Sequence, residues 1–139
     1  MLRMFALFLS VALLAPAEHL ALSSTDESDR KTILGELRGS LQARLGPPVE
    51  FVVTTFRKDN NWAFVQAEPR RPGGKSIDGR RYYGADWENM DGLTTTAILR
   101  KAKGSWRILE LRVGATDAWY CGFVPTKQFD PCDGYPKDD

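Results

Sequence analysis

The sequence predicts an α+β fold in which one N-terminal helix packs on a four-stranded antiparallel sheet made of two hairpins. The first observation is a stripe of leucines at spacings of three and four between residues 24 and 45, which is typical of an amphipathic helix. The second is a pair of similar units, Val49–Glu68 and Leu93–Val113, each with an apolar strand, a polar turn and a tryptophan that opens a second strand. A helix placed before two hairpins can cover one apolar face of the sheet that they form.

The composition is that of an ordinary globular domain. The chain has 139 residues, which is enough for one domain, and 42% of them are hydrophobic and 27% charged. The formal net charge is only +1. No overall field therefore favours nucleic acid or an anionic membrane surface, and we expect no nucleic-acid partner.

Residues 1–23 have the pattern of a secretory signal peptide. Arg3 supplies the positive charge, Met4–Leu14 is apolar apart from one serine, and Ala15-Pro16-Ala17 matches a cleavage site. The alternatives are an uncleaved anchor helix or a buried core helix, but the apolar run is short for a span of about 20 residues. We expect a single exported domain over residues 24–139, periplasmic or secreted, with no transmembrane span after cleavage.

The predicted helix has recognisable start and stop signals. Ser24-Thr25-Asp26-Glu27 fits a capping box, and Gly46 followed by two prolines ends the helix. Gly35 and Gly39 lie inside the helix on one face, which indicates either close approach of the sheet or a partner, or simple packing. The apolar side of the helix consists of Ile33, Leu34, Leu37, Leu41 and Leu45.

In the first hairpin we predict strands over Val49–Arg57 and Trp62–Glu68, and we expect Pro69 to end the second strand. Alternation in the first strand places Phe56 on the face opposite Phe51. The second strand is apolar on both faces, so either the C-terminal tail covers the second face or that face forms an apolar concavity. The second hairpin predicts strands over Leu93–Lys101 and Trp106–Val113, and alternation places Leu109, Leu111 and Val113 on one face.

The two cysteines, Cys121 and Cys132, predict one disulfide. Export favours this pairing over free thiols, and their separation is too long for a CxxC redox motif. The enclosed residues Phe123, Val124 and Phe129 are too apolar for a free tail. We expect some of them to cover the second face of the sheet.

The segment Pro69–Gly92 is the candidate ligand-binding region, because loops of this length are often functional. Its arginines could grip a carboxylate or phosphate, and its aromatic side chains are typical of recognition surfaces. The alternative is a charge-balanced surface loop whose aromatics pack back on the sheet. The candidate residues are Arg70, Arg71, Arg80, Arg81, Tyr82, Tyr83 and Trp87.

Catalytic and cofactor motifs are missing from the sequence. The only histidine, His19, lies in or next to the signal peptide, so the usual triads and zinc sites are excluded from the mature domain. We expect no cofactor and no metal. Paired carboxylates remain as an enzymatic option, since two of them can hydrolyse a glycoside, although loop carboxylates are mostly surface charge. The candidate carboxylates are Asp86, Glu88, Asp91 and Asp117.

Three pieces of the chain resemble small exported bacterial proteins of unknown function: Trp62-Ala63-Phe64-Val65, Met90–Leu93 and Val113–Tyr120. The order of elements also resembles the cystatin-like or nuclear-transport-factor-2-like arrangement. This resemblance implies a helix on a curved antiparallel sheet. It implies no inhibitor role, because the cystatin QxVxG loop is replaced by the turn Lys58–Asn61.

We therefore expect a small exported non-catalytic binding or accessory module of the bacterial envelope. It would bind an anionic or saccharide ligand, or a partner protein, through the 69–92 loop. The alternative is a small secreted hydrolase that uses paired carboxylates.

Overall fold

The computed structural model describes residues 24–124 and 129–132, and the predicted signal peptide lies outside them. Helix α1 (Ser24–Leu45) precedes strands β1 (Glu50–Asp59), β2 (Trp62–Arg70), β3 (Thr95–Ala102) and β4 (Ser105–Val113). The strands form one antiparallel sheet in the order β1-β2-β3-β4, and α1 packs on one face. The predicted fold class is confirmed. Among the described residues, no helix is both long enough and apolar enough to cross a membrane.

The face of the sheet under α1 forms the first core. Ile33, Leu37, Leu41 and Leu45 are completely buried, as the leucine stripe predicts. They pack against strand residues that include Val65, Ala97, Leu99, Trp106 and Leu111. Gly46 follows the helix with a φ of 69°, a conformation that glycine adopts without strain and that ends helices.

Gly35 and Gly39 lie on the exposed side of α1. A Cβ atom at either position would have no described atom within 4 Å. Close approach of the sheet and simple packing are therefore wrong for the described chain, whereas close approach of a partner stays a prediction. No contact with a described residue offsets the destabilisation of the helix that each glycine causes.

A β-bulge in β1 corrects the predicted faces of that strand. Val53 pairs with Ala67, but Thr55 pairs with Gln66, so Thr54 is the extra residue. The bulge reverses the alternation beyond it. Phe56 consequently packs against the first core, as Phe51 does, and its predicted position on the opposite face is wrong.

A second bulge lies in β4. Ile98 pairs with Glu110 and Leu99 with Ile108, which leaves Leu109 unpaired. Leu109 is 48% exposed, whereas Ile108 and Leu111 belong to the first core. The prediction that Leu109 and Leu111 share a face is therefore wrong.

The connection between the hairpins is more ordered than the sequence indicates. Strand β2 continues through Pro69 to Arg70, so Pro69 does not end it. Short helical segments follow, namely a 3-10 turn Pro72–Gly74, helix α2 (Gly79–Tyr83) and a 3-10 helix Gly84–Asn89.

The C-terminal segment covers part of the second face of the sheet. Phe64 and Ile98 are completely buried there under Val124 and Phe129, which form a second core. The disulfide Cys121–Cys132 closes this segment with a Cα–Cα distance of 5.3 Å. The disulfide is confirmed, and so is the prediction that some of the apolar residues between the cysteines cover this face, whereas Phe123 is exposed. This cover explains why β2 is apolar on both faces.

Candidate functional site

Arg71 is committed to contacts within the fold. Its guanidinium donates hydrogen bonds to the carbonyl oxygens of Gly46 at 2.6 Å and Leu45 at 2.7 Å. It also donates to the Tyr82 hydroxyl at 2.7 Å. The carbonyls at the end of a helix have no partner within the helix, so Arg71 caps the C-terminus of α1.

The other three arginines of the predicted region have different surroundings. Arg80 forms an ion pair with Glu88, and both side chains are mostly exposed. The exposed Arg81 lies with its guanidinium carbon 5.8 Å from the centre of the Tyr82 ring. Arg70 is a half-buried residue of β2 opposite Glu50. The structure therefore distributes the predicted arginines over separate environments.

The aromatic residues of the same region pack against the first core, as the structural alternative expects. Tyr82, Tyr83 and Trp87 are each half-buried in it. Trp87 lies so close to Gly79 that a Cβ atom there would overlap the indole ring. Burial raises the pKa of Tyr83, against the opposing charge of Arg44. Among described residues its buried hydroxyl has no hydrogen-bond partner.

Two of the four predicted carboxylates meet at a polar cleft of about 250 Å³. Asp91 comes from the end of the connecting segment, and Asp117 comes from the turn after β4. Glu88 is paired with Arg80 instead, and Asp86 does not line the cleft. The lining residues are Gln66, Asp91, Thr94, Thr96, Ala115, Thr116, Asp117, Ala118 and Tyr120.

Gly114 brings the two sides of the cleft together. Its φ is 68°, and a Cβ atom there would lie 2.6 Å from the Met90 side chain and 2.7 Å from the Gly92 carbonyl oxygen. The Gly114 N–H donates to the Thr94 carbonyl at 2.7 Å, and its own carbonyl accepts from the Asp91 N–H at 2.9 Å. Only glycine allows this approach, which places Asp91 beside the turn that carries Asp117.

One aromatic residue, Tyr120, lines the cleft and is held by neighbouring aromatic side chains. The Trp119 indole N–H donates to the Thr96 hydroxyl at 2.8 Å. Tyr120 packs on Phe64 with ring centres 4.7 Å apart, and on Trp119 at 5.8 Å. These contacts fix the tyrosine ring on the second face of the sheet, between the second core and the cleft.

Five of the lining residues were not predicted from the sequence as site residues, namely Gln66, Thr94, Thr96, Thr116 and Tyr120. One signal was available: Gln66 interrupts the apolar run Trp62–Ala67. Because β2 and β3 pair with Gln66 opposite Thr96, the two residues lie side by side. Only the pairing register shows that they share the face that carries Phe64 and Ile98.

A second polar group of residues joins α1 to the turns of the hairpins. Asp29 is 7% exposed and accepts hydrogen bonds from Trp106 and Lys101, while Lys58 pairs with its other oxygen at 3.2 Å. The hydrogen bond from Trp106, with those from the two lysines, lowers the pKa of Asp29 to about 2 against the effect of burial. The Asp26 carboxylate, 3.0 Å away, contributes most to raising the pKa of Lys58. These satisfied contacts are typical of a structural ion network.

No grouping of three or more acidic, histidine or cysteine side chains within the described residues could hold a metal ion. No protein-family model matches the sequence, and no curated protein is significantly similar to it. Among solved structures, a de novo designed protein with a curved β-sheet is similar at 17% identity and a TM-score of 0.35. The match covers 55% of this chain and 56% of the designed chain.

Proposed function

We propose that this protein is a small exported, non-catalytic binding module, and that the cleft between Asp91 and Asp117 holds its ligand. The observation that supports this best is the chemistry of the lining: one amide, three threonine hydroxyls and two carboxylates surround a single concavity. Such groups fix the orientation of a polar ligand through hydrogen bonds. The volume lies just below the range of about 300–1,000 Å³ for small-molecule sites, so the cleft suits a small ligand or one unit of a longer one.

Of the ligand classes expected from the sequence, a saccharide fits this cleft better than an anion. Carboxylate, amide and hydroxyl groups can pair with the many hydroxyls of a sugar, and the fixed ring of Tyr120 offers a flat surface beside them. An anion would instead be repelled by Asp91 and Asp117. The arginines that could attract an anion lie in the 69–92 loop, where Arg71 is already committed to the end of α1.

The test is isothermal titration calorimetry of the oxidised domain with a panel of soluble neutral and basic oligosaccharides. We expect a member of the panel to bind, and Gln66→Leu and Thr116→Val to weaken its binding at least about tenfold, or about 1.4 kcal/mol. Thr32→Val is the matched control, since Thr32 is exposed on α1, away from the cleft lining. Equal effects of Thr116→Val and the control Thr32→Val on binding, or no binding by any oligosaccharide of the panel, would contradict the proposal.

If the 69–92 loop binds an anion, the same calorimetric titrations should give a different result. Arg80→Ala combined with Arg81→Ala would then weaken the binding of an anionic oligosaccharide, while the melting temperature stays nearly unchanged. Added salt would weaken binding to the wild type, because exposed charges are screened. Insensitivity of the binding to these variants would contradict anion binding by the loop.

A carboxylate-dependent hydrolase is the second candidate, because Asp91 and Asp117 line one cleft. Two carboxylates on either side of a glycosidic bond can supply the acid and the base or nucleophile for its cleavage. Turnover of a bound oligosaccharide that is lost in both Asp91→Asn and Asp117→Asn would favour this function. Binding without turnover favours the non-catalytic module.

A further inference from the structure

The charge of the cleft is set by Asp91 and Asp117. None of the nine lining residues is basic. Within residues 24–124 and 129–132, neither carboxylate has an ion-pair partner. The cleft is therefore a concave polar surface with two negative charges that the fold itself does not neutralise.

Arg112 is the basic residue beside the cleft, because it pairs with the lining residue Thr96 across β3 and β4. Arg112, on β4, lies over the Trp119 ring at 4.7 Å, and its side chain is 3.4 Å from Glu110. Arg80 is paired with Glu88. A cleft lined by charges of one sign raises the local concentration of ligands of the opposite sign.

The remaining lining residues are neutral, and all of them except Ala115 and Ala118 carry a polar group. Gln66 and Thr116 present amide and hydroxyl groups, and Tyr120 presents an aromatic ring. An aromatic face also attracts a cation that lies within about 6 Å of it. The cleft thus combines two acceptors for an ammonium group with partners for hydroxyl groups.

We infer that the ligand of the cleft is a cationic, hydroxylated molecule of the amino-sugar class, whose ammonium group lies between the carboxylates of Asp91 and Asp117. This inference rests on the proposed function and specifies its ligand. Neutral sugars would bind to the hydroxyl and amide groups alone, and acidic sugars would be rejected.

The test compares two trisaccharides that differ only at nitrogen: β-1,4-linked glucosamine and its N-acetylated form. Titrations are made at low salt and about pH 6, where a free amine is protonated. We expect the amine form to bind about tenfold more tightly, a difference of about 1.4 kcal/mol. The double variant Asp91→Asn, Asp117→Asn should bind both forms equally, and raising the salt should reduce the preference of the wild type.

A matched control is Asp78→Asn with Asp86→Asn, which removes two acidic side chains that do not line the cleft and should keep the preference. Melting curves establish that each variant is folded. Equal or tighter binding of the N-acetylated form overturns the inference and leaves the binding module standing. If neither trisaccharide binds and no member of the neutral panel binds, the binding module is overturned as well. A preference for the amine form that survives in the Asp91→Asn, Asp117→Asn variant shows that other groups recognise the amine.

Discussion

The indole N–H of Trp106 donates a 2.9 Å hydrogen bond to the carboxylate of Asp29, and this contact joins the start of β4 to α1. The same oxygen accepts from Lys101 at 3.0 Å, and the other oxygen lies 3.2 Å from Lys58. Lys58 lies next to the turn of the first hairpin, and Lys101 lies next to the turn of the second. One nearly buried carboxylate therefore holds the helix against both hairpins.

The lowered pKa of Asp29 makes stability depend on pH in the acid range. A carboxyl whose pKa falls from 3.8 to about 2 on folding adds stability above pH 3.8, and this stability is lost as the pH falls towards 2. The size of the effect is about 2 kcal/mol. Urea unfolding at several pH values should show a smaller acid loss in Asp29→Asn than in the wild type. Asp91→Asn, which removes a carboxylate without an ion pair among described residues, should keep the wild-type dependence, and an unchanged slope in Asp29→Asn would contradict the assignment.

The exposed glycines of α1 predict stabilising substitutions. Gly35→Ala and Gly39→Ala should each raise the free energy of unfolding by up to about 1 kcal/mol, because alanine favours the helix and a Cβ atom meets nothing there. Gly79→Ala is the contrasting variant, since its Cβ would overlap the Trp87 ring. Chemical denaturation measures all three. Destabilisation by both helix variants would show that the outer side of α1 is covered in solution.

Truncation of the helix stripe should be costly. Leu37 and Leu41 are completely buried, so replacing either with alanine should lower the free energy of unfolding by about 2–5 kcal/mol. Lys31→Ala, on the exposed side of the helix, is the control and should change it by less than about 0.5 kcal/mol. A loss below that value in both leucine variants would mean that the stripe does not face the sheet.

Arg71 and Arg81 should behave differently although both belong to the predicted binding region. Arg71→Ala removes the donors for the last carbonyls of α1, and we expect a loss of about 1–3 kcal/mol in unfolding free energy. Arg81→Ala removes an exposed side chain and should cost less than about 0.5 kcal/mol. Thermal and urea unfolding of the two single variants compare them directly. Equal losses would be inconsistent with the capping role of Arg71.

Removal of the disulfide should open the second core. The variant Cys121→Ser, Cys132→Ser loses the constraint on the unfolded chain, which is typically about 2–4 kcal/mol for a loop of this size. Phe64 and Ile98 would then be less well covered, so binding of a hydrophobic dye should increase. Non-reducing mass spectrometry provides the control, since the wild type should contain no alkylatable thiol. Unchanged dye binding would show that the covering segment packs without the bridge.

Local patterns were sufficient to predict the helix, the two hairpins and the disulfide. The leucine spacing and Gly46 define α1, and the apolar character of β2 on both faces correctly indicated a cover from the C-terminal segment. The bulges at Thr54 and Leu109 could not be predicted in this way, because one extra residue in a strand leaves no mark on a simple alternation. Phe56 and Leu109 were placed on the wrong faces for this reason.

The cleft could be predicted only in part. Asp91 and Asp117 were considered together because they are carboxylates, but Gly114 brings their segments into contact by a close approach that no short-range pattern encodes. Gln66 and Thr96 become neighbours only through the register of β2 and β3. Arg71 was predicted to bind a ligand because the sequence does not show that its guanidinium donates to the carbonyl oxygens at the end of α1.

The two bulges also affect how readily the edges of the sheet could pair with another chain. In the described sheet, β1 and β4 are the outer strands, and each presents a row of backbone groups that another chain could pair with. The unpaired residues Thr54 and Leu109 bend those strands and interrupt that row. Straight outer strands would offer templates for edge-to-edge aggregation, so the irregularities that defeat simple alternation also make the margins of the open sheet poorer templates for it.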